Sequence, residues 1–296
     1  MSMALQALGF GPKERVVILH SDDIGMCQSS VSAWVEMLDA GIVSSASVMV
    51  PCPWFPKLAA LCRQNPSVDM GVHLTLTSEW KAYRWGPIST RDTSSGMIDQ
   101  DGYFFRDPRQ LFENISVTAV ARELRAQIDR ALQAGIDVTH LDSHMFSVIY
   151  PALLPVYIEI AQEYELPCLA WKPQGPIFHF TADDAAEIRA IVCKHEGPRL
   201  LAFDHAFAIH YDDPENPIPE IKRGIDALKP GLTHYLIHPA KDTPELREMC
   251  AHWRHRVADY HAFRDPEVLE YMKASGVRVV GYRALREALR GNLAKR

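Results

Sequence analysis

Seven residues in this sequence have types and positions suited to metal binding and proton transfer: Asp22, Asp23, His73, His140, Asp142, His144 and His238. Asp22 and Asp23 stand directly after the apolar run Val16-Val17-Ile18-Leu19 and the pair His20-Ser21. Two adjacent carboxylates at the end of a buried strand repel one another, and burial disfavours both charges. A bound cation or a shared proton relieves that cost; a turn or helix cap is the plainer alternative. In His140-Leu141-Asp142-Ser143-His144, strand alternation would place His140, Asp142 and His144 on one face. On a helix the same spacing would also align His140 with His144, but the preceding Val138-Thr139 favours a strand. The plainer alternative here is a hydrogen-bonded set of structural histidines. Two imidazoles and one carboxylate form a common ligand set for a catalytic divalent ion with open positions, and Asp23, His73 and His144 supply it. Asp22 would then stay ionised beside the cation and take a proton from polarised water. His238 would protonate a leaving amine, although a lone His before Pro is more often structural.

These residues need elements that carry them to one place. Apolar runs read as strands over 16–19, 42–50, 68–76, 137–144, 166–171, 199–207, 233–238 and 277–281. Helical spacing, with Ser, Thr, Asp or Pro at starts and Gly at stops, falls between them over 29–40, 54–62, 117–132, 151–164, 181–194, 217–228, 244–263, 265–275 and 284–293. The alternation runs from end to end with no linker, repeat or low-complexity tract. It predicts one domain over 1–296, a single irregular TIM-like (β/α) barrel with its site at the C-terminal strand ends; an open doubly wound sheet is the alternative. Asp22, Asp23, His73, His144 and His238 all lie late in such strands. The segment 77–111 is irregular and rich in aromatics, including Trp80, Tyr83, Trp85 and Phe104. A long loop of this kind is often functional, so Trp80 is a candidate for stacking on a sugar ring, against the alternative of a small aromatic core.

The chain has 296 residues, 47% of them hydrophobic, and a formal net charge of −6. That suffices for a large core, and the lack of basic runs gives no sign of nucleic-acid binding. The six cysteines form no Cys-x-x-Cys pair and read as reduced, packed residues. No apolar stretch has membrane-spanning length and the first residues lack a signal-peptide core, so a cytoplasmic protein is expected. A homodimer is the default oligomer.

Several motifs resemble the YdjC-like family, the ChbG/HpnK type of carbohydrate deacetylase. They are Ser21-Asp22-Asp23-Ile24-Gly25, Gly41-Ile42-Val43-Ser44-Ser45-Ala46-Ser47-Val48-Met49-Val50, Gly71-Val72-His73-Leu74-Thr75-Leu76-Thr77 and Thr139-His140-Leu141-Asp142-Ser143-His144, with a late His238-Pro239. The resemblance implies a distorted barrel that removes N-acetyl groups from amino sugars with one divalent ion such as Mg or Zn. By motif position it implies Asp23, His73 and His144 as ligands, Asp22 as base and His238 as acid. His140 and Asp142 become residues that orient the ligands. The sequence departs from the family after His144, where Met145-Phe146-Ser147 replaces further histidines, and at Trp171-Lys172-Pro173, where relatives often carry Arg. Lys172 and His205 remain candidates for substrate contact by location. The competing readings are a metal-dependent sugar isomerase or amidohydrolase-like barrel, and a non-catalytic carbohydrate-binding barrel. An isomerase would be expected to show several Glu at strand ends, and a binding protein would have lost the base or the ligands.

Overall fold

The computed structural model describes residues 2–294. Strand β1 (Arg15–Ile24) is the centre of the sheet. Its apolar residues alternate: Val17 and Leu19 join Tyr235 and Ile237 in one buried cluster, and Val16 and Ile18 join Leu232 in another. The period of two directs them to opposite faces. The first cluster is roofed by Ala33 and Met37 of helix Gln28–Asp39, Ile221 and Ile225 of Ile218–Ala227, and Ala258 of Trp253–Ala262.

The other strands are β2 (Ser45–Val48), β3 (Met70–Leu74), β4 (Val138–Ser143), β5 (His205–Phe207), β6 (Gly231–Ile237) and β7 (Arg278–Val279). All pairings between them are parallel, in the order β4-β3-β2-β1-β6-β5, with β7 beside β1. Helices connect successive strands, as a parallel sheet requires. The helix Val117–Gln133 starts at Ser116, whose hydroxyl accepts from the Ala119 N–H, as its sequence signature predicts.

The expected eight-stranded barrel needs correction. The expected fifth strand, 166–171, is no ladder, and only single parallel bridges, Leu141–Cys168 and Trp171–Phe203, lie between β4 and β5. Pro167 lacks a donor and Pro173 follows closely, so this segment cannot sustain a ladder. The sheet is therefore a curled half-barrel rather than a clearly closed TIM barrel. The expected helix over 244–263 is two helices, Pro244–Met249 and Trp253–Ala262. Among the described residues, no helix is long and apolar enough to cross a membrane.

The inner face turns polar towards the C-terminal strand ends. His20 and Asp22 of β1, Ser47 of β2, His73 of β3, His140 and Asp142 of β4, and His234 of β6 are all buried. Gly71 explains part of this packing: a Cβ there would stand 2.4 Å from the His140 ring. Tyr282, at the start of the last helix, stacks on the other side of that ring with centroids 3.6 Å apart.

Candidate metal centre

Strict alternation along β1 would send Asp22 and Asp23 to opposite faces. The chain avoids this with a bulge. Ser21 pairs with Ala46 but Ile24 pairs with Val48, so three steps on β1 face two on β2. Asp23 takes φ +61°, a left-handed conformation that Asp tolerates better than most residues and that is concentrated at functional sites. Met145 and Phe146, just after His144, also have positive φ, +52° each.

Asp23 Oδ1 lies 3.2 Å from His73 Nε2 and 3.0 Å from His144 Nδ1. These three residues form a buried set whose ligand atoms fall within 4.8 Å of one another. The opposite nitrogen of each imidazole meets a carboxylate. His73 Nδ1 lies 2.9 Å from Asp142 Oδ1, and His144 Nε2 lies 3.0 Å from Glu79 Oε2. Ser47 Oγ donates to Asp142 Oδ2 at 2.8 Å, fixing the carboxylate behind His73. A carboxylate behind each ligating imidazole is the usual way to orient it towards an ion. The donor set and its backing therefore fit a divalent cation.

Electrostatics agree with that fit. Burial opposes charge on Asp23, but the fields of Arg256 and His144 outweigh it and hold the carboxyl well below the usual range. Burial would lower the His73 and His144 values, yet the carboxylates win. Asp142 and Asp23 raise His73 well above the ordinary histidine value, and Glu79 and Asp23 bring His144 up to about 9. Without an ion, protons thus take the place of positive charge at this site. The Arg256 guanidinium donates to Asp23 Oδ2 at 2.7 Å.

Asp22 sits just inside this set. His20 Nδ1 lies 2.6 Å from its Oδ1, and His238 Nε2 lies 3.9 Å from its Oδ2. Burial raises the Asp22 value, but the His20 hydrogen bond and the field of His73 leave it net lowered, so it rests as a carboxylate. His238 is half-buried; its backbone N–H donates to Asp259 Oδ2 at 2.7 Å, and burial lowers its imidazole value. Burial also raises Asp259, to about 6, against its hydrogen bonds from Tyr211 and the His238 backbone.

Of the residues singled out by sequence, Asp22, Asp23, His73, Asp142, His144 and His238 meet at this rim, and His140 lies one layer below. Trp80 belongs to an aromatic group with Tyr83 and Trp85 and lies under the Arg256 guanidinium, 5.7 Å from it. Trp85 meets the His144 ring edge-on at 6.0 Å. The irregular segment thus forms a small aromatic core, and that core also walls the site. Two candidates are placed elsewhere. Lys172 donates to Glu196 Oε2 at 2.8 Å, and His205 Nε2 meets the Pro230 carbonyl at 3.2 Å. Glu79 and Arg256 escaped the sequence reading, and Ser47 and His20 stood within its motifs without a role. His20, two residues before Asp22, was within reach of strand alternation; Arg256, 233 residues from Asp23, left no local signal.

Residues 16–274 match the profile of the YdjC-like protein family. The chain is similar to a carbohydrate deacetylase of Thermus thermophilus, with 32% identity over 96% of this chain and 98% of that protein. It is also similar to a carbohydrate deacetylase of Thermoanaerobacter pseudethanolicus, with 24% identity over 92% of this chain and all of that one. Among solved structures, a protein of Enterococcus faecalis V583 provisionally described as a cellobiose-phosphate cleavage protein shares the fold. Its TM-score is 0.73 at 23% identity, covering 92% of this chain and 99% of that one.

Proposed function

The chain belongs to the YdjC-like family, and from that premise we propose that it is a carbohydrate deacetylase that removes N-acetyl groups from an amino sugar or oligosaccharide with one divalent metal ion. Its relatives over nearly the whole chain carry the name carbohydrate deacetylase, in keeping with a hydrolase of amide bonds. The observation that carries the reading is the convergence of Asp23, His73 and His144 on one point, each imidazole backed by a carboxylate, with the free oxygen of Asp22 beside them.

In this reading Asp23, His73 and His144 would hold the ion. When bound, it polarises the acetyl carbonyl and makes water a stronger acid. Asp22 Oδ1 is occupied by His20, so Oδ2 takes the proton from the attacking water. The hydroxyl adds to the acetyl carbon, and the C–N bond breaks as the nitrogen takes a proton from His238. His238 has a lowered value and faces Asp22 Oδ2, so the proton it gives is the one Asp22 collected. Trp80 and Tyr83, half-buried over the buried Trp85, present an aromatic wall suited to the apolar face of a pyranose ring.

Acetate release from N-acetylglucosamine oligomers, measured with and without a chelator, tests this directly. Turnover that stops on chelation and returns with added metal is expected, together with close to one equivalent of metal in the purified protein. No acetate from a broad panel of acetylated sugars would refute the reading.

A further inference from the structure

Beneath Asp22 a continuous chain of buried polar groups runs down the inside of the sheet. Asp22 Oδ1 meets His20 Nδ1 at 2.6 Å, and His20 Nε2 meets His140 Nε2 at 2.8 Å. His140 Nδ1 meets Thr139 Oγ1 at 2.9 Å, and Thr139 Oγ1 lies 2.5 Å from Asp69 Oδ1. Asp69 also receives the Ser45 hydroxyl at 3.1 Å and the Arg283 N–H at 2.7 Å. The His140 ring has no freedom to turn away, because Gly71 and Tyr282 pack against its two faces.

The Thr139 hydroxyl donates to Asp69 Oδ1 and so receives its own bond from His140 Nδ1. The contact between His140 Nε2 and His20 Nε2 holds the far side of the His20 ring. At the near end a carboxylate only accepts, so the contact with Asp22 Oδ1 is a bond donated by His20 Nδ1–H.

We propose that His20 is a positioning residue: it fixes the Asp22 carboxylate by donating from Nδ1, and the chain through His140 and Thr139 to Asp69 holds its ring in place. The proposal rests on the reading of Asp22 as the base. Its consequence is that Oδ1 of Asp22 stays engaged while Oδ2 faces the reacting water. An imidazole flipped to the other tautomer would present a bare nitrogen to the carboxylate and push it aside.

Two measurements test it, one of them independent of turnover. In the metal-loaded protein without substrate, imidazole 15N shifts, with His20 assigned by difference against His20→Asn, should show Nδ1 protonated. A bare Nδ1 overturns the proposal. In kinetics, His20→Ala should lower kcat about 10- to 100-fold, with KM and metal content nearly unchanged. His20→Asn, whose amide N–H can stand in for Nδ1–H, should restore most of the loss. Equal losses in both variants count against a donor role. If His20→Ala does not fold, His20→Asn alone serves: turnover close to the wild type is expected, and a loss of about 10- to 100-fold with metal retained overturns the proposal. If the wild type deacetylates no sugar, the functional reading fails while the 15N measurement still decides whether Nδ1 carries the proton.

Discussion

Two buried clusters on the inner face have nearly the same composition. The upper one is Asp23, His73 and His144; the lower one is His20, Asp22, Asp142 and His234, and in each the ligand atoms lie within 4.8 Å of one another. What separates them is how the imidazole nitrogens are used. In the upper cluster a carboxylate takes the far nitrogen of each ring and leaves the near one facing Asp23. In the lower cluster both His20 nitrogens are engaged, by Asp22 and His140, and His234 Nδ1 meets the Tyr282 hydroxyl at 2.9 Å while its buried Nε2 has no partner. Charge follows the same division. Carboxylates raise the upper histidines, whereas burial lowers His140 well below its ordinary value and His234 to about 3. Ligand types alone therefore do not make the two clusters alike; the carboxylates behind the rings set them apart.

The largest effects should come from the two adjacent aspartates. Asp23→Asn should lose both metal and turnover. Asp22→Asn should keep its metal and lose turnover by about 10²- to 10⁴-fold, the range for a general base. Metal analysis beside acetate release reads both, and a metal-free Asp22→Asn protein would erase the boundary drawn between the clusters.

Arg256→Met comes next. It leaves Asp23 buried without its guanidinium partner, and breaking a buried pair in this way costs about 3–5 kcal/mol. A bound cation can stand in for the lost charge. The variant should therefore gain more in Tm from added metal than the wild type does, and an equal gain would mean that Arg256 and the ion do not share Asp23.

Gly71→Ala probes the lower layer. The new methyl would meet the His140 ring at 2.4 Å, between β3 and the stacked Tyr282. Overpacking of this kind costs about 1–3 kcal/mol. Denaturant unfolding should show that loss with metal content unchanged.

The same contrast explains what was legible in the sequence. Alternation within one strand is local, so the common face of His140 and Asp142 could be read from five residues. The parallel α/β pattern was legible for a similar reason, since each element carries its own period. The open edge was not, because single bridges at 166–171 replace a ladder that the apolar run suggests. The pairing of Asp22 with Asp23 at one rim depends on a bulge and a positive φ that no residue type announces. Arg256 and Glu79 reach the site only through tertiary packing. The surface ion pair of Lys172 with Glu196 shows the converse, since a suitable residue at a suitable place in the chain has a partner elsewhere.

Titration of stability should set the two clusters against each other. In chelated protein, His144 has its folded value raised to about 9, so its contribution is full below the unfolded value near 6.5 and is lost as pH rises towards about 9. His234 behaves in the opposite sense. Its folded value is lowered to about 3, so between there and about 6.5 the unfolded chain binds a proton that the folded one does not. Stability therefore falls as pH falls through that window, by at most about 1.4 kcal/mol per pH unit for this group. Urea unfolding of the wild type and His234→Gln across that range, with chelator present, isolates the term because the carboxylates are common to both. The variant should show the shallower acid slope, while His144→Gln should flatten the fall between about pH 7 and 9. An unchanged acid slope in His234→Gln would mean that the lower cluster takes up protons as the upper one does, and the distinction between the two clusters would be lost.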